Sequence, residues 1–308
     1  MFSSLSKPNY PNAALGLERD SMTAIALQKQ GRRQYTIKQA ATVDIPRGLL
    51  SPSFLEKNIS DTAGFRDCIV DVVQNSGLLN QKRWSIALPS NAARSAILTL
   101  DAEPVAKQES EEIIDWKAEQ SFGAPAAEMR ILKRKISAGR DGRPRYFATA
   151  VQLAVIDEYE SVFESLGWSA GLILPRAIGE ANWLVDVAKN GDSMLISAQD
   201  DGFTALLLRG DEPSVVRSVT CLPHEIDDEV FRLLMFYNDR VGNESNSQLE
   251  KVLLIGSDLV PAKIMEIATE ALGRVLQILT PDDVGLYIPD TTFKFNEIAA
   301  PAGLAALA

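Results

Sequence analysis

Apolar and polar positions alternate in short runs along this chain, and one stretch of that pattern occurs twice. The first copy is Asp20-Ser21-Met22-Thr23-Ala24, set between the apolar runs 14–17 and 24–27. The second is Asp201-Gly202-Phe203-Thr204-Ala205, set between 194–198 and 205–208, at an offset of 181 residues. Each copy predicts two strands joined by a tight polar turn. A third strand-like stretch follows each pair, at 35–43 and 214–219, and then an amphipathic helix and a further strand. A β-β-β-α-β unit repeated at half the chain length predicts two lobes of similar topology facing each other across a cleft, with residues 15–43 superposing on 195–219.

Between the copies, 60–79 places Phe65, Ile69, Val72 and Val73 on one helical face with Gly77 as its stop, and strands follow at 84–88 and 95–100. Residues 101–150 break the rhythm. An acidic helix at 108–122 is followed by strands at 129–136 and 145–151 around a Ser-Ala-Gly-Arg-Asp-Gly turn, which reads as a small inserted α+β subdomain. Its strands and turn carry Arg130, Lys133, Arg134, Lys135, Arg143 and Arg145, a basic cluster read as a solvated hairpin face. Helices are predicted at 155–168, built on Ile156, Tyr159, Phe163 and Leu166, and at 175–188, which closes the first lobe. In the second lobe a long helix at 223–241 leads to a Gly-Asn-Glu-Ser-Asn-Ser loop. A short strand at 252–255, a helix at 261–273, a strand at 274–279 and an Ala-rich packing helix at 297–308 complete it. The predicted domains are therefore 1–188, with the insertion at 101–150, and 189–308.

The bulk properties agree with two domains, since 308 residues exceed the usual size of one core. A hydrophobic content of 46% and a charged content of 23% belong to a globular chain. The net charge of −10 argues against nucleic-acid binding and against adsorption to anionic lipid. Cys68 and Cys221 lie among apolar neighbours and read as buried thiols of a reducing compartment. Residues 1–13 have one Lys, two Pro and no apolar core, so no secretory signal is expected there, and no apolar run reaches the roughly 20 residues needed to span a bilayer. The single histidine, His224, sits between Pro223 and Glu225 at a helix start, which leaves little for a Ser-His-Asp or histidine-rich metal site. The adjacent pairs Asp200-Asp201, Asp227-Asp228 and Asp282-Asp283 read as turn and helix-start residues.

Several stretches in order resemble the PilM family of actin-like cytoplasmic type IV pilus proteins, and more distantly the cytoplasmic part of GspL proteins and FtsA. They are LGLERDSMTAIAL at 15–27, SIALPSNAARSAILTLD at 85–101 and EEIIDWKAEQSF at 111–122. VIDEYESVFESLGW at 155–168, VLLIGSDLVPAKIMEIATEALG at 252–273 and the closing AAPAGLAALA complete the set. The resemblance implies an α/β, actin-like (ribonuclease H-like) duplicated two-lobe fold, the layout shared with Hsp70 and sugar kinases, with 101–150 as the family's inserted subdomain.

In that superfamily the two hairpin turns grip nucleotide phosphates through backbone N–H groups, which needs glycine for close approach and Asp to hold Mg²⁺ through water. The resemblance implies Asp-x-Gly-Ser at the first turn, where this chain has Glu18, Arg19, Asp20 and Ser21. An acid thus stands where phosphate would sit, and like charges in a partly desolvated site cost several kcal/mol. The Lys often found four residues further on is replaced by Ile25. The second turn, which should read Asp-x-Gly, is Ser197-Ala198-Gln199 or Ala198-Gln199-Asp200, depending on register. Gly256-Ser257 stands in place of the Gly-Gly on the nucleoside side, and 219–252 is short for the subdomain that caps a nucleotide. Ser21, Gly202, Thr204 and Gly256 remain as family-like cofactor positions, each equally explained by turn geometry.

The reading that results is a non-catalytic actin-like scaffold with no cofactor. The resemblance implies a cytoplasmic protein peripheral to the inner membrane, holding the cytoplasmic N-terminal tail of a PilN-like membrane protein in a groove lined from 85–150. An extended tail would add main-chain hydrogen bonds and apolar anchors there. Two other readings share the fold: an active ATPase that binds ATP with Mg, and an actin-like small-molecule kinase, which needs an Asp base that no motif supplies.

Overall fold

The structure, a computed structural model, describes residues 10–102, 107–139, 141–187, 191–241, 248–289 and 292–308. In chain order its elements begin with β1 (Ala13–Leu17), β2 (Ser21–Gly31), β3 (Gln34–Asp44), α1 (Thr62–Asn75), β4 (Arg83–Leu88) and β5 (Arg94–Thr99). Then come α2 (Lys107–Phe122), β6 (Met129–Ile136), β7 (Arg145–Gln152), α3 (Leu153–Ser165), β8 (Ser169–Pro175) and α4 (Arg176–Ala181). β9 (Asp192–Gln199), β10 (Gly202–Arg209), β11 (Glu212–Thr220), α5 (Ile226–Phe236), β12 (Leu249–Ile255) and α6 (Pro261–Leu272) follow. β13 (Gln277–Ile278), β14 (Leu286–Tyr287) and α7 (Phe295–Ala305) end the chain.

Contacts group these into two units, one of Met1–Ala92, Ala154–Asn182 and Gly285–Ala308, the other of Ala93–Leu153 and Trp183–Val284. The first holds a six-stranded sheet of order β14-β3-β2-β1-β4-β8. The second holds a five-stranded sheet of order β11-β10-β9-β12-β13 and the three-stranded sheet β5-β7-β6. Removing β14 leaves two sheets of the same topology. In each, the first three strands form an antiparallel meander, and the next two add in parallel beside the first.

Register makes the duplication specific. Leu17 pairs with Met22 across the first hairpin and Ala198 with Phe203 across the second, which preserves the offset of the sequence repeat. Leu15 is thereby equivalent to Ile196, one residue on from the expected Leu195. Two finer details recur. The Asp20 carbonyl accepts from Ile45 N at 2.8 Å, and the Asp201 carbonyl from Cys221 N at 3.1 Å. The Thr23 and Thr42 hydroxyls meet at 2.9 Å, and those of Thr204 and Ser218 at 3.4 Å. The repeated Asp-x-x-Thr-Ala therefore encodes a turn carbonyl and a hydroxyl rung, once in each sheet.

Local chemistry explains the helices. The Asp61 side chain accepts from Ala63 N at 3.0 Å and caps α1, whose Phe65, Ile69, Val72 and Val73 are buried as the spacing predicts. Gly77, at φ 72°, ends that turn of chain in the left-handed region. On the second sheet, Met194, Ile196, Ala198, Phe203, Ala205 and Leu207 form one buried face with α5 and α6.

The structure divides the chain at other points than the sequence pattern did. The closing helix α7 lies on β1, β2, β4 and α4, and β14 extends the first sheet beside β3, so residues 285–308 join the first unit and not the second lobe. Residues 93–153 group with the second unit, where β5 lies beside β11 and Arg145 Nη2 donates to the Ser214 carbonyl at 2.7 Å. The predicted long helices are shorter. That at 175–188 is α4 followed by a 3₁₀ turn at Asn182–Leu184, its last residue lying outside the described ones, and that at 223–241 is α5 between a 3₁₀ turn and a π turn at Tyr237–Val241. β8 and β14 had no counterpart in the sequence reading, and the strand expected at 274–279 is limited to β13. The loop at 242–247 and the boundary at 188–190 lie outside the described residues. Cys68 and Cys221 are free and half-buried, less enclosed than expected, and burial raises both thiols, with nearby carboxylates adding to the shift.

The seat of α7 rests on a close backbone approach. A Cβ at Gly179 of α4 would lie 2.3 Å from the Ala300 carbonyl oxygen, a contact that no rotamer change relieves. Asn182 Nδ2 donates to the Gly303 carbonyl and Tyr35 Oη to that of Ala306, at 2.9 and 3.0 Å, and these bonds hold the same surface. Gly179→Ala is expected to destabilise the protein by about 1–3 kcal/mol, the usual cost of overpacking. Urea unfolding should show it, with faster amide exchange concentrated in 295–305. A variant as stable as the parent would show that α7 is not held there.

Candidate functional site: the two hairpin turns

The β1–β2 turn closes on a bond from Glu18 N to the Ser21 carbonyl at 2.9 Å, with Arg19 and Asp20 at its tip. Ser21 opens β2 opposite Asp44. The Glu18 carboxylate turns towards Arg176, the first residue of α4, and forms an ion pair with it. Arg176 is buried and also donates from Nε at 2.9 Å and Nη2 at 2.7 Å to Glu180 Oε1, one helical turn on. Glu180 is fully buried, and its second oxygen, Oε2, has no partner in the protein. Burial alone would lower the Arg176 pKa, but the carboxylates of Glu180 and Glu18 outweigh it and raise the pKa above the ordinary arginine value. The guanidinium therefore stays charged at every pH at which the protein is handled.

In the second unit the equivalent turn has Asp200 and Asp201 at its tip, and Gln199 pairs with Gly202. That settles the register left open by the sequence. The counterpart of Glu18-Arg19-Asp20 is Gln199-Asp200-Asp201, neither of the two triplets considered above. Neutral Gln199 stands at the first position and Asp201 at the third. Gly202 has φ 137°, and a Cβ there would fall 1.9 Å from the Val219 carbonyl oxygen, so the glycine is required by the neighbouring strand. Thr204 forms the rung with Ser218. Gly256 follows β12 at φ 126°, where a Cβ would lie 2.5 Å from Ala198 Cβ. The structure thus brings Gly202, Thr204 and Gly256 to one end of β9, with Ser21 at the corresponding place in the other sheet.

Gly202 and Gly256 are each required by the packing of a neighbouring strand. Ser193 Oγ, Ser197 Oγ and Gln199 Oε1 are buried on β9 without protein partners. They are neutral groups that can pair with water, Ser193 at the start of the strand and Gln199 at its turn end. The first turn carries the Glu18 carboxylate paired with Arg176, and each turn has an acidic residue at its tip. No cluster of three or more His, Cys, Asp or Glu side chains suited to a metal ion occurs among the described residues, and His224 is exposed. Buried Asp192, at the start of β9, accepts from Arg209 Nε and Nη2 at 3.2 Å each and from Tyr237 Oη at 3.0 Å. Burial and that carboxylate raise the tyrosine pKa, so this trio serves as a structural lock. The sequence reading missed Arg176 and Glu180. Their signal was an opposite-charge pair four residues apart in the mostly apolar ILPRAIGEANW.

No family model matches the chain, and no curated protein does. Among solved structures, a chain of the PilM-PilN type IV pilus biogenesis complex is 16% identical to it, covering 97% of this chain and 98% of that one with a TM-score of 0.75. A Bacteroides thetaiotaomicron protein with actin-like ATPase fold and unknown function is 12% identical over 97% and 98% of the two chains, with a TM-score of 0.49. The cytoplasmic domain of EpsL, an inner membrane component of the type II secretion system of Vibrio cholerae, is 8% identical over 86% and 96%, at 0.47. The first likeness shows the fold, which is the expected actin-like duplicated α/β fold. The other two are too distant to add to it.

Arg176→Met should leave the fully buried Glu180 carboxylate uncompensated, at an expected cost of about 3–5 kcal/mol. The double substitution Arg176→Met with Glu180→Met should recover most of that loss, because it removes both charges from the interior. Urea midpoints of the three proteins test this, and a single variant within about 0.5 kcal/mol of the parent would show that the ion pairs are not what holds the turn.

Proposed function

We propose that this chain is a non-catalytic, actin-like scaffold of type IV pilus or related secretion machinery that binds the cytoplasmic N-terminal tail of a PilN-like inner-membrane protein. The observation that carries the reading is the likeness to a PilM-PilN complex chain along nearly the whole length of both chains. The tail docks as an extended segment along the 85–150 stretch, adding main-chain hydrogen bonds and seating apolar side chains. Two or three apolar anchors at about 1.5–3 kcal/mol each suffice for micromolar binding after ordering costs. No helix among the described residues is long and apolar enough to cross a membrane, and the chain carries a net charge of −10. Both support a protein of the cytoplasm that reaches the inner membrane through its partner.

The absence of catalysis is part of the proposal. Asp20 and Asp201 stand where phosphate-cradling glycines are needed, and Arg176 takes the place of an external counter-charge for Glu18.

Titration calorimetry of the full chain provides two tests. A synthetic peptide of a PilN-type cytoplasmic tail should bind with a dissociation constant on the order of micromolar, and no binding would overturn the scaffold reading. Mg-ATP should give no heat at millimolar concentration, and Asp20→Gly should restore at most weak binding. A low-micromolar constant for Mg-ATP would favour the active ATPase of the same fold.

A further inference from the structure

The three-stranded sheet has two edges of different character. β5 lies beside β11, whereas β6 pairs only with β7 among the described residues, so β6 is a true edge. It runs for eight residues against β7, from Met129 opposite Gln152 to Ile136 opposite Arg145, with no register shift. Every second residue of such an edge turns its N–H and C=O away from the sheet. Edges are commonly blunted by a bulge, by shortness or by charged side chains, and β6 has only the last of these.

Its side chains set the chemistry of what can pair there. β6 reads MRILKRKI, with four cationic residues and no acidic one. Lys133 points to α2, where Asp115 Oδ1 accepts from it at 3.0 Å. By strand alternation Arg130, Leu132 and Arg134 share the opposite face, all exposed, with Leu132 at 56%. Arg130 and Lys135 keep partners within the chain, and what they contribute to the edge is the sign of their charge. Just past the strand, Ser137 N donates to Glu212 Oε2 at 2.8 Å, so a carboxylate of this chain already reads the end of the edge. The Ser137 hydroxyl and amide, with Arg134 and Arg145 nearby, hold that carboxyl below the usual range.

We propose that the β6 edge is a docking surface for an extended acidic segment of a partner protein, which adds as a fourth strand with acidic, apolar and acidic side chains opposite Arg130, Leu132 and Arg134. Directly opposed residues of an added strand lie about 5 Å apart, close enough for the ion pair with Arg134 and the apolar pair with Leu132, while Arg130 adds its positive charge to the field. The cations repel basic strands, and exposed Leu132 offers apolar contact that a merely guarded edge lacks. Cations spaced along one strand, with backbone groups between them, match a peptide better than a lipid surface. β6 lies within the 85–150 stretch proposed for the PilN-like tail, but the inference rests on the edge's own charges and open backbone groups and is tested with a different, acidic peptide.

The probe is an octapeptide alternating Glu with Val and Thr, labelled for fluorescence anisotropy, and the protein is the full chain. The alternating peptide should bind about tenfold or more tighter than the same residues with all Glu first. N-methylation of one alternate set of its residues should abolish binding, while methylation of the other set should leave it intact. Arg130→Glu with Arg134→Glu should weaken binding by about tenfold or more, and the milder Arg130→Gln with Arg134→Gln by less, both with circular dichroism matching the parent. Equal binding of the two orders, indifference to both methylations, or no binding would each overturn the proposal. So would phosphatidylglycerol vesicles captured through the same two arginines, or self-association of the chain abolished by the double charge reversal. Those results would assign the edge to lipid or to a second copy.

Discussion

Each large sheet depends on a first strand that is enclosed from every side. All five residues of β1 and seven of the eight in β9 are buried, and each strand is flanked by an antiparallel neighbour on one edge and a parallel one on the other. A strand without an open edge or an open face holds the turn at its end in a fixed position. The turn carbonyls of Asp20 and Asp201 are then satisfied by the residue that follows the third strand, in the same way in both sheets. Each turn is thus held by its own sheet, and its chemistry follows from the side chains it presents.

At the first turn electrostatics decides that chemistry. A buried arginine between two carboxylates is costly to bury and costlier to leave half paired, since removing one partner strands a charge in a poor solvent. Glu18 links the turn to α4 through Arg176, so the charge at this turn is already paired within the first sheet's own unit. At the second turn the buried acceptors are neutral. Two turns with the same backbone hydrogen bonds thus carry different side-chain chemistry.

Net charge describes this molecule poorly. A chain of −10 would be expected to shun anions, yet it concentrates four cations on one exposed strand beside an acidic helix, α2. Surface charge acts over a Debye length of about 8–10 Å, so a partner meets the local strand and not the sum. Docking is governed by that local pattern and by which backbone groups remain open.

The sequence by itself determined most of the elements and the repetition of the hairpins, but neither β8 nor β14. Strand alternation, helical spacing and the Asp-x-x-Thr-Ala echo are local signals, and they located both hairpins, α1, β6, β7 and the closing helix within a few residues. The assignment of α7 and β14 to the first unit, and of 93–153 to the second, was decided only by the tertiary structure, because it rests on contacts such as Gly179 with Ala300 and Arg145 with Ser214 that lie far apart in the chain. The register of the second turn needed the observed strand pairing, since a shift of one residue is invisible in an apolar run. Glu18 and Arg176 are 158 residues apart. No periodicity reaches that far, and only folding brings half-buried Glu18 to the buried Arg176 guanidinium, where reduced solvent makes the pairing matter.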